Sequence, residues 1–249
     1  TLNSFASSTP AVDADHVYVA LSDPDHYLLL ALSHDGKEVW RYDLGPYTSQ
    51  HGDGTSPIVF ENLVILGNEQ DGTSFLLAVD RKTGKRVWQT PRREKVVSYS
   101  TPCVYEPKSG PPQLIFNSQS HGVSAVDART GAPLWEAPLF DKRTCSSPIL
   151  AGGYLLGTCG SGGGGNYLIA IRPEGTGDIS AKSLAYKLDK LIPYVPTPVV
   201  YGDLLFLWSE KGIVSCVDAP SGTVLWTERV GGEYWGSPIR VGDRLYAMS

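Results

Sequence analysis

The simplest constellation for proton transfer or metal ligation in this chain is a histidine two residues from a carboxylate. His51 and Asp53 provide it inside the loop Tyr47-Thr48-Ser49-Gln50-His51-Gly52-Asp53-Gly54. His51 could act as a general base that Asp53 orients. Two residues on a glycine-rich loop also read as a polar turn, and that reading is preferred. A second candidate is the run Gly160-Ser161-Gly162-Gly163-Gly164-Gly165-Asn166, whose backbone amides could approach a ligand closely. Neither GK[ST] nor a helical pattern follows it, so it is no phosphate-binding P-loop. A flexible connection between strands accounts for it. The four cysteines (Cys103, Cys145, Cys159 and Cys216) are too scattered for a disulfide framework and form no CxxC pair for zinc. Cys145 and Cys159 could meet across one hairpin. If that hairpin turns at Gly152-Gly153, Cys159 faces Ser146 and the thiols stay free. No metal site is expected.

Charge narrows the partners. The net charge is −5, and the densest basic stretch is Arg92-Arg93-Glu94-Lys95, read as a solvated loop. Nucleic acid and anionic membrane are therefore poor partners. No apolar run approaches the ~18–20 residues that span a bilayer. With 41% apolar and 19% charged residues the chain reads as globular.

The elements that must position any site come from internal repetition. Small-hydroxyl–proline pairs recur at Thr9-Pro10, Ser56-Pro57, Thr101-Pro102, Ser147-Pro148, Thr197-Pro198 and Ser237-Pro238, with the prolines 47, 45, 46, 50 and 40 residues apart. Each pair opens an alternating apolar stretch, a turn and a second such stretch, as in SPIVFENLVILG and TPVVYGDLLFLW. A small residue and often an aspartate follow (Asp80, Asp127, Asp218), then a Gly-turn and an aromatic stretch: DRKTGKRVW, DARTGAPLW, DAPSGTVLW and, in the first copy, SHDGKEVW. The recurring aspartates belong to turn hydrogen bonding. Four runs of strand length per copy, with no 3.6-residue period, predict an all-β chain of four-stranded antiparallel blades: a β-propeller. One such sheet buries neither face alone, and stacking on its neighbours supplies the core. The reading gives a single domain over 1–249. Its blades lie at approximately 8–44, 54–92, 99–139, 145–189 and 195–230, with a partial sixth at 235–249.

The A-x-D-x-x-T-G-x-x-x-W pattern with S/T-P opening the next blade resembles the repeat of pyrroloquinoline-quinone-type propellers. That group includes quinoprotein dehydrogenases and the non-catalytic lipoprotein of the outer-membrane protein assembly machinery. The resemblance implies that each indole docks on the neighbouring blade near its Thr-Gly turn. Trp40, Trp88, Trp135 and Trp226 are then structural, and Gly84, Gly131 and Gly222 permit the positive φ of the turn. The fourth copy departs, with the longer turn PEGTGDISAK and Tyr186 where Trp is expected, so that blade is expected to dock less firmly.

In blades of this type the loops leading into the first strand and those joining the second and third lie on one face. The expected ligand-binding residues there are His51, Asp53, Tyr99, His121, Asn166, Tyr194, Glu210, Tyr234 and Trp235. Tyrosine and tryptophan beside flexible polar residues suit a protein, peptide or glycan surface. The resemblance implies, for a quinone-dependent enzyme, a disulfide of adjacent cysteines, a calcium cage and a catalytic aspartate. The sequence has no Cys-Cys pair and no matching carboxylate–amide cluster. The function expected is a non-catalytic scaffold for a protein or polysaccharide partner, with no cofactor and no catalytic residue. A quinone-dependent dehydrogenase-like enzyme, or a hydrolase or lyase on a propeller scaffold, is the alternative. The stretch from GTCGSGGGGNYLIAIRPEG to PYVPTPVVYGD is similar to exported propeller proteins of environmental bacteria, which implies a periplasmic or secreted setting. Five full repeats and half a sixth also lead to the expectation of an open arc, or of a ring of about eight blades (~350 residues at this period) completed by further residues or by a second chain. Thr1 to Ala6 could add at most one short outer strand to such an arc.

Overall fold

A computed structural model describes residues 7–93 and 96–249. The possible outer strand at Thr1 to Ala6, and Glu94 and Lys95 of the basic stretch, lie outside the described residues. The chain forms successive antiparallel blades, the four strands of each paired in sequence order, as a propeller requires. The first blade comprises Ala11–Val12, His16–Ser22, Tyr27–Ser33 and Glu38–Asp43; the second, Ile58–Phe60, Leu63–Asn68, Phe75–Asp80 and Arg86–Pro91. The third is Cys103–Tyr105, Gln113–Ser118, Gly122–Asp127 and Pro133–Ala137, and the fourth Ile149–Ala151, Tyr154–Cys159, Tyr167–Ile171 and Leu184–Leu188. The fifth is Val199–Tyr201, Leu204–Trp208, Ile213–Asp218 and Thr223–Arg229. A sixth, two-stranded sheet is Ile239–Val241 with Arg244–Tyr246. One helical segment is described, the four residues Ser180–Ser183.

The two-residue alternation of a strand explains how the blades share a core. Every residue of Leu63–Asn68 is buried. Val64 and Leu66 pack with Tyr18 and Leu29 of the first blade. Leu63 and Ile65 point the other way, onto Leu114 and Phe116 of the third. The same division recurs between blades three and four and between four and five. Each fully buried Leu or Ile contributes ~1.5–3 kcal/mol of burial, so blade-to-blade contact is the main source of stability.

The outer strands are tied across blades by the aromatic residue. Trp40 donates its indole N–H to the Arg81 carbonyl (3.0 Å), and Trp88 donates to the Ala128 carbonyl (3.2 Å). Gly84 and Gly131 lie under those rings with φ of 68° and 71°. In the turns, Asp80 and Asp127 accept backbone N–H bonds from Thr83 and Thr130. Tyr186 takes the same place in the fourth blade: its hydroxyl donates to the Ala219 carbonyl (2.7 Å), and its ring covers Gly222.

Two tryptophans depart from the expected docking. Trp135 donates to Gln113 Oε1 of its own blade (2.9 Å), not to a neighbouring turn. The longer turn of the fourth copy is the cause. Gly177–Asp178 pairs in parallel with Trp135 and Glu136, adding a fifth strand to blade three. Trp226 is 44% exposed on an outer strand that is exposed throughout. Among the described residues the sixth sheet offers only its first strand pair, with no turn for that indole to cover.

The basic stretch also differs from expectation. Arg92 is buried, donating from Nε to Glu69 Oε1 (2.5 Å) and from Nη2 to Ser124 Oγ (3.0 Å). Arg93 pairs with Glu136 and donates to the Ser120 carbonyl. The pattern looked like a solvated run because its acidic partners lie 23 to 43 residues away.

Candidate functional site

The segments leading into the first strands converge on one cavity of about 1110 Å³. A hydroxyl ladder holds them together. Ser56 Oγ accepts the Thr9 N–H (2.8 Å), Thr101 Oγ1 the Ser56 N–H (3.1 Å) and Ser147 Oγ the Thr101 N–H (3.2 Å). Thr197 Oγ1 then accepts the Ser147 N–H (3.0 Å), and Ser237 Oγ the Thr197 N–H (2.9 Å). The proline after each hydroxyl residue favours extended backbone at that residue. Its N–H and hydroxyl are thereby left to face successive blades. The residue two positions before each hydroxyl also lines the cavity: Ser7, Gly54, Tyr99, Cys145, Val195 and Trp235.

Five of the nine expected residues line this space: His51, Asp53, Tyr99, Tyr194 and Trp235. Trp235 is 60% exposed. His51 and Asp53 do not act on each other. Asp53 is 1% exposed and accepts the Ser22 hydroxyl at Oδ1 (2.6 Å), while Oδ2 is buried without a partner. Burial raises the Asp53 pKa, opposed by the Ser22 bond. His51 instead sets its ring edge-on to Tyr99, 6.3 Å between centroids.

The other four brace the loops. Asn166 accepts the Ser161 N–H (3.1 Å) and donates to the Ile192 carbonyl (3.2 Å), so the glycine run is a turn held by its own asparagine. Glu210 accepts the N–H groups of Tyr194 and Val195 at 2.6 and 2.7 Å, and Tyr234 packs on Trp208. His121 is buried between Glu136 (2.7 Å from Nδ1) and the Arg93 N–H (3.0 Å to Nε2). Burial and the nearby Arg92 lower its pKa against the Glu136 bond.

Arg143 and Cys145, on an entry loop of the same face, also line the cavity, although they are not among the nine residues expected to bind. The Arg143 guanidinium lies 5.9 Å above the Tyr99 ring, and the Tyr194 hydroxyl lies beside both Arg143 and Cys145. Burial pushes the Cys145 thiol up to about 11, so it stays protonated and a weak nucleophile at neutral pH. All four cysteines are free. Among the described residues no cluster of three or more His, Cys, Asp or Glu could hold a metal, and no helix is long and apolar enough to cross a membrane.

The sequence family described as outer membrane protein assembly factor BamB matches residues 1–228 and again 165–249. The chain belongs to that family. In three dimensions this BamB-family chain is similar to BamB from Moraxella catarrhalis, at 18% identity and a TM-score of 0.72 over 96% of this chain and 68% of that one. It also matches the computationally designed Ika8 protein (12% identity, TM-score 0.62, 96% and 67% covered). A europium-containing methanol dehydrogenase matches as well (13%, 0.52, 93% and 70%). At these identities the structures show a shared propeller fold. No curated protein matches the chain in sequence.

Proposed function

We propose that this BamB-family propeller is a non-catalytic scaffold that binds a protein or polysaccharide through its loop-face cavity, in an extracytoplasmic setting. The observation that carries the reading is the gathering of Tyr99, Tyr194, Trp235 and Arg143, from four successive repeats, around one open cavity. Rigid aromatic side chains on braced loops give contact area at low entropic cost. Inside the cavity His51 and Asp53 do not form an acid–base pair, because Asp53 bonds to Ser22 and His51 packs on Tyr99. The family name favours a place at the cell envelope.

The test is a binding screen on peptide and glycan arrays with two faces compared. Hits should weaken in Tyr99→Ala and Trp235→Ala and persist in Lys82→Ala, on a Thr-Gly turn. Loss in Lys82→Ala alone would move the binding surface elsewhere. Adding pyrroloquinoline quinone with Ca²⁺ should change neither absorbance nor unfolding temperature. Stoichiometric changes in both would favour a dehydrogenase-like enzyme.

A further inference from the structure

We propose that the loop-face cavity is a saccharide site, taking a neutral, equatorially linked pyranose chain that stacks on Trp235 and bonds to the hydroxyl ladder. The inference rests on the loop-face reading above and names the chemical class of its ligand. Each ladder hydroxyl spends one lone pair on the N–H of the preceding repeat. Ser56, Thr101, Ser147, Thr197 and Ser237 all line the cavity, and among the described residues their hydroxyls have no protein acceptor. Each therefore keeps a proton and a lone pair for what enters the cavity. A sugar hydroxyl has the same dual capacity, so a pyranose chain matches this wall group for group.

Trp235 supplies the apolar half. Its indole lines the cavity two residues before the last rung at Ser237 and is 60% exposed. The two tyrosines are already engaged: the Arg143 guanidinium lies 5.9 Å over the Tyr99 ring and donates to the Tyr194 hydroxyl. The open ring on this wall is therefore the indole, a flat apolar surface. The C–H face of an equatorially substituted pyranose is its flat apolar counterpart.

Charge and size narrow the ligand further. Among the described lining residues Arg143 is the one permanent cation and Asp53 the one carboxylate. Asp53 is 1% exposed and bonded to Ser22, and Arg143 is taken up by the tyrosines, so the wall selects little for charge. The volume of about 1110 Å³ exceeds the ~300–1,000 Å³ of a small-molecule pocket, which suits several units of a chain rather than one sugar. An extended peptide fits less well, because it needs a free strand edge. The N–H groups of Thr9, Ser56, Thr101, Ser147 and Thr197 are consumed by the ladder, and the proline after each brings none.

The experiment is isothermal titration calorimetry with cellohexaose, xylohexaose, mannohexaose, cellobiose and hexagalacturonate. At least one neutral hexasaccharide should bind with saturation, and cellohexaose about tenfold or more tighter than cellobiose, since a chain fills several positions. Affinity should stay within about twofold between roughly 0.05 and 0.5 M NaCl. Trp235→Ala should weaken binding about tenfold and Trp235→Tyr restore part of it. The urea midpoint of Trp235→Ala should match the parent, because the ring is exposed, which separates lost binding from lost fold. No binding of any neutral hexasaccharide up to roughly 10 mM, or no effect of Trp235→Ala, would overturn the saccharide site. The loop-face reading would survive that result if array peptides still responded to Tyr99→Ala and Trp235→Ala, and the partner would then be a protein. Equal affinity for cellobiose and cellohexaose would overturn the chain. Tighter binding of hexagalacturonate than of every neutral hexasaccharide would overturn neutrality in favour of an acidic polysaccharide.

Discussion

Truncating Trp88 to alanine removes the tie between the second and third blades. The indole is 7% exposed, lies on Gly131 and donates to the Ala128 carbonyl. Roughly 200 Å² of ring at ~25 cal/mol/Å² is worth ~5 kcal/mol, and the hydrogen bond adds about 1. Water can refill part of the gap at the outer rim, which brings the expected loss to ~3–5 kcal/mol, the range for a buried Trp. Trp226 occupies the same place in the repeat but is 44% exposed, with no turn beneath it among the described residues, so in the 249-residue chain Trp226→Ala should cost about 1 kcal/mol or less. Urea unfolding followed by far-ultraviolet circular dichroism separates the two without relying on indole fluorescence. Equal midpoint shifts would mean that docking on the next turn is not what makes this position stabilising.

Gly131→Ala should be far costlier than Gly36→Ala: both have positive φ, but a Cβ at Gly131 would sit 2.5 Å from the Trp88 ring while Gly36 has nothing within 4 Å. Losses of ~3 and ~1 kcal/mol are expected in thermal unfolding. Thr101→Val removes the acceptor of the Ser56 N–H and should cost ~1–2 kcal/mol, with Thr101→Ser near neutral; equal losses would discount the hydroxyl ladder. His121 has a lowered pKa in the fold, so the unfolded chain binds more protons once the pH drops below ~6.5. Stability should therefore decline from pH 7 to pH 5, and His121→Gln should show a shallower decline in chemical unfolding at the two pH values.

The blade architecture was legible because its signals are local and repeated. The S/T-P pair marks each first strand, and the Thr-Gly turn marks the start of each outer strand. The cavity was half legible. Aligning the repeats on the hydroxyl places Tyr99, Cys145 and Trp235 at one position, two residues earlier, which marks the entry loops as one face but not which of their side chains line the cavity. What stayed hidden depends on long-range partners. Arg92 reads as solvated until Glu69 is brought to it, and Trp135 reads as docked until the fourth turn pairs alongside. His121, Asn166 and Glu210 each satisfy a backbone group, a role that a polar residue on a loop does not reveal in sequence.

The measurement that bears most directly on the loop-face cavity as the binding surface is hydrogen–deuterium exchange with and without the tightest ligand from the peptide and glycan arrays. The account predicts slowed exchange in residues 51–56, 97–101, 143–147 and 193–197, with the Thr-Gly turns at 80–84 and 127–131 unchanged. Protection confined to those turns, or spread evenly over the outer strands, would contradict it.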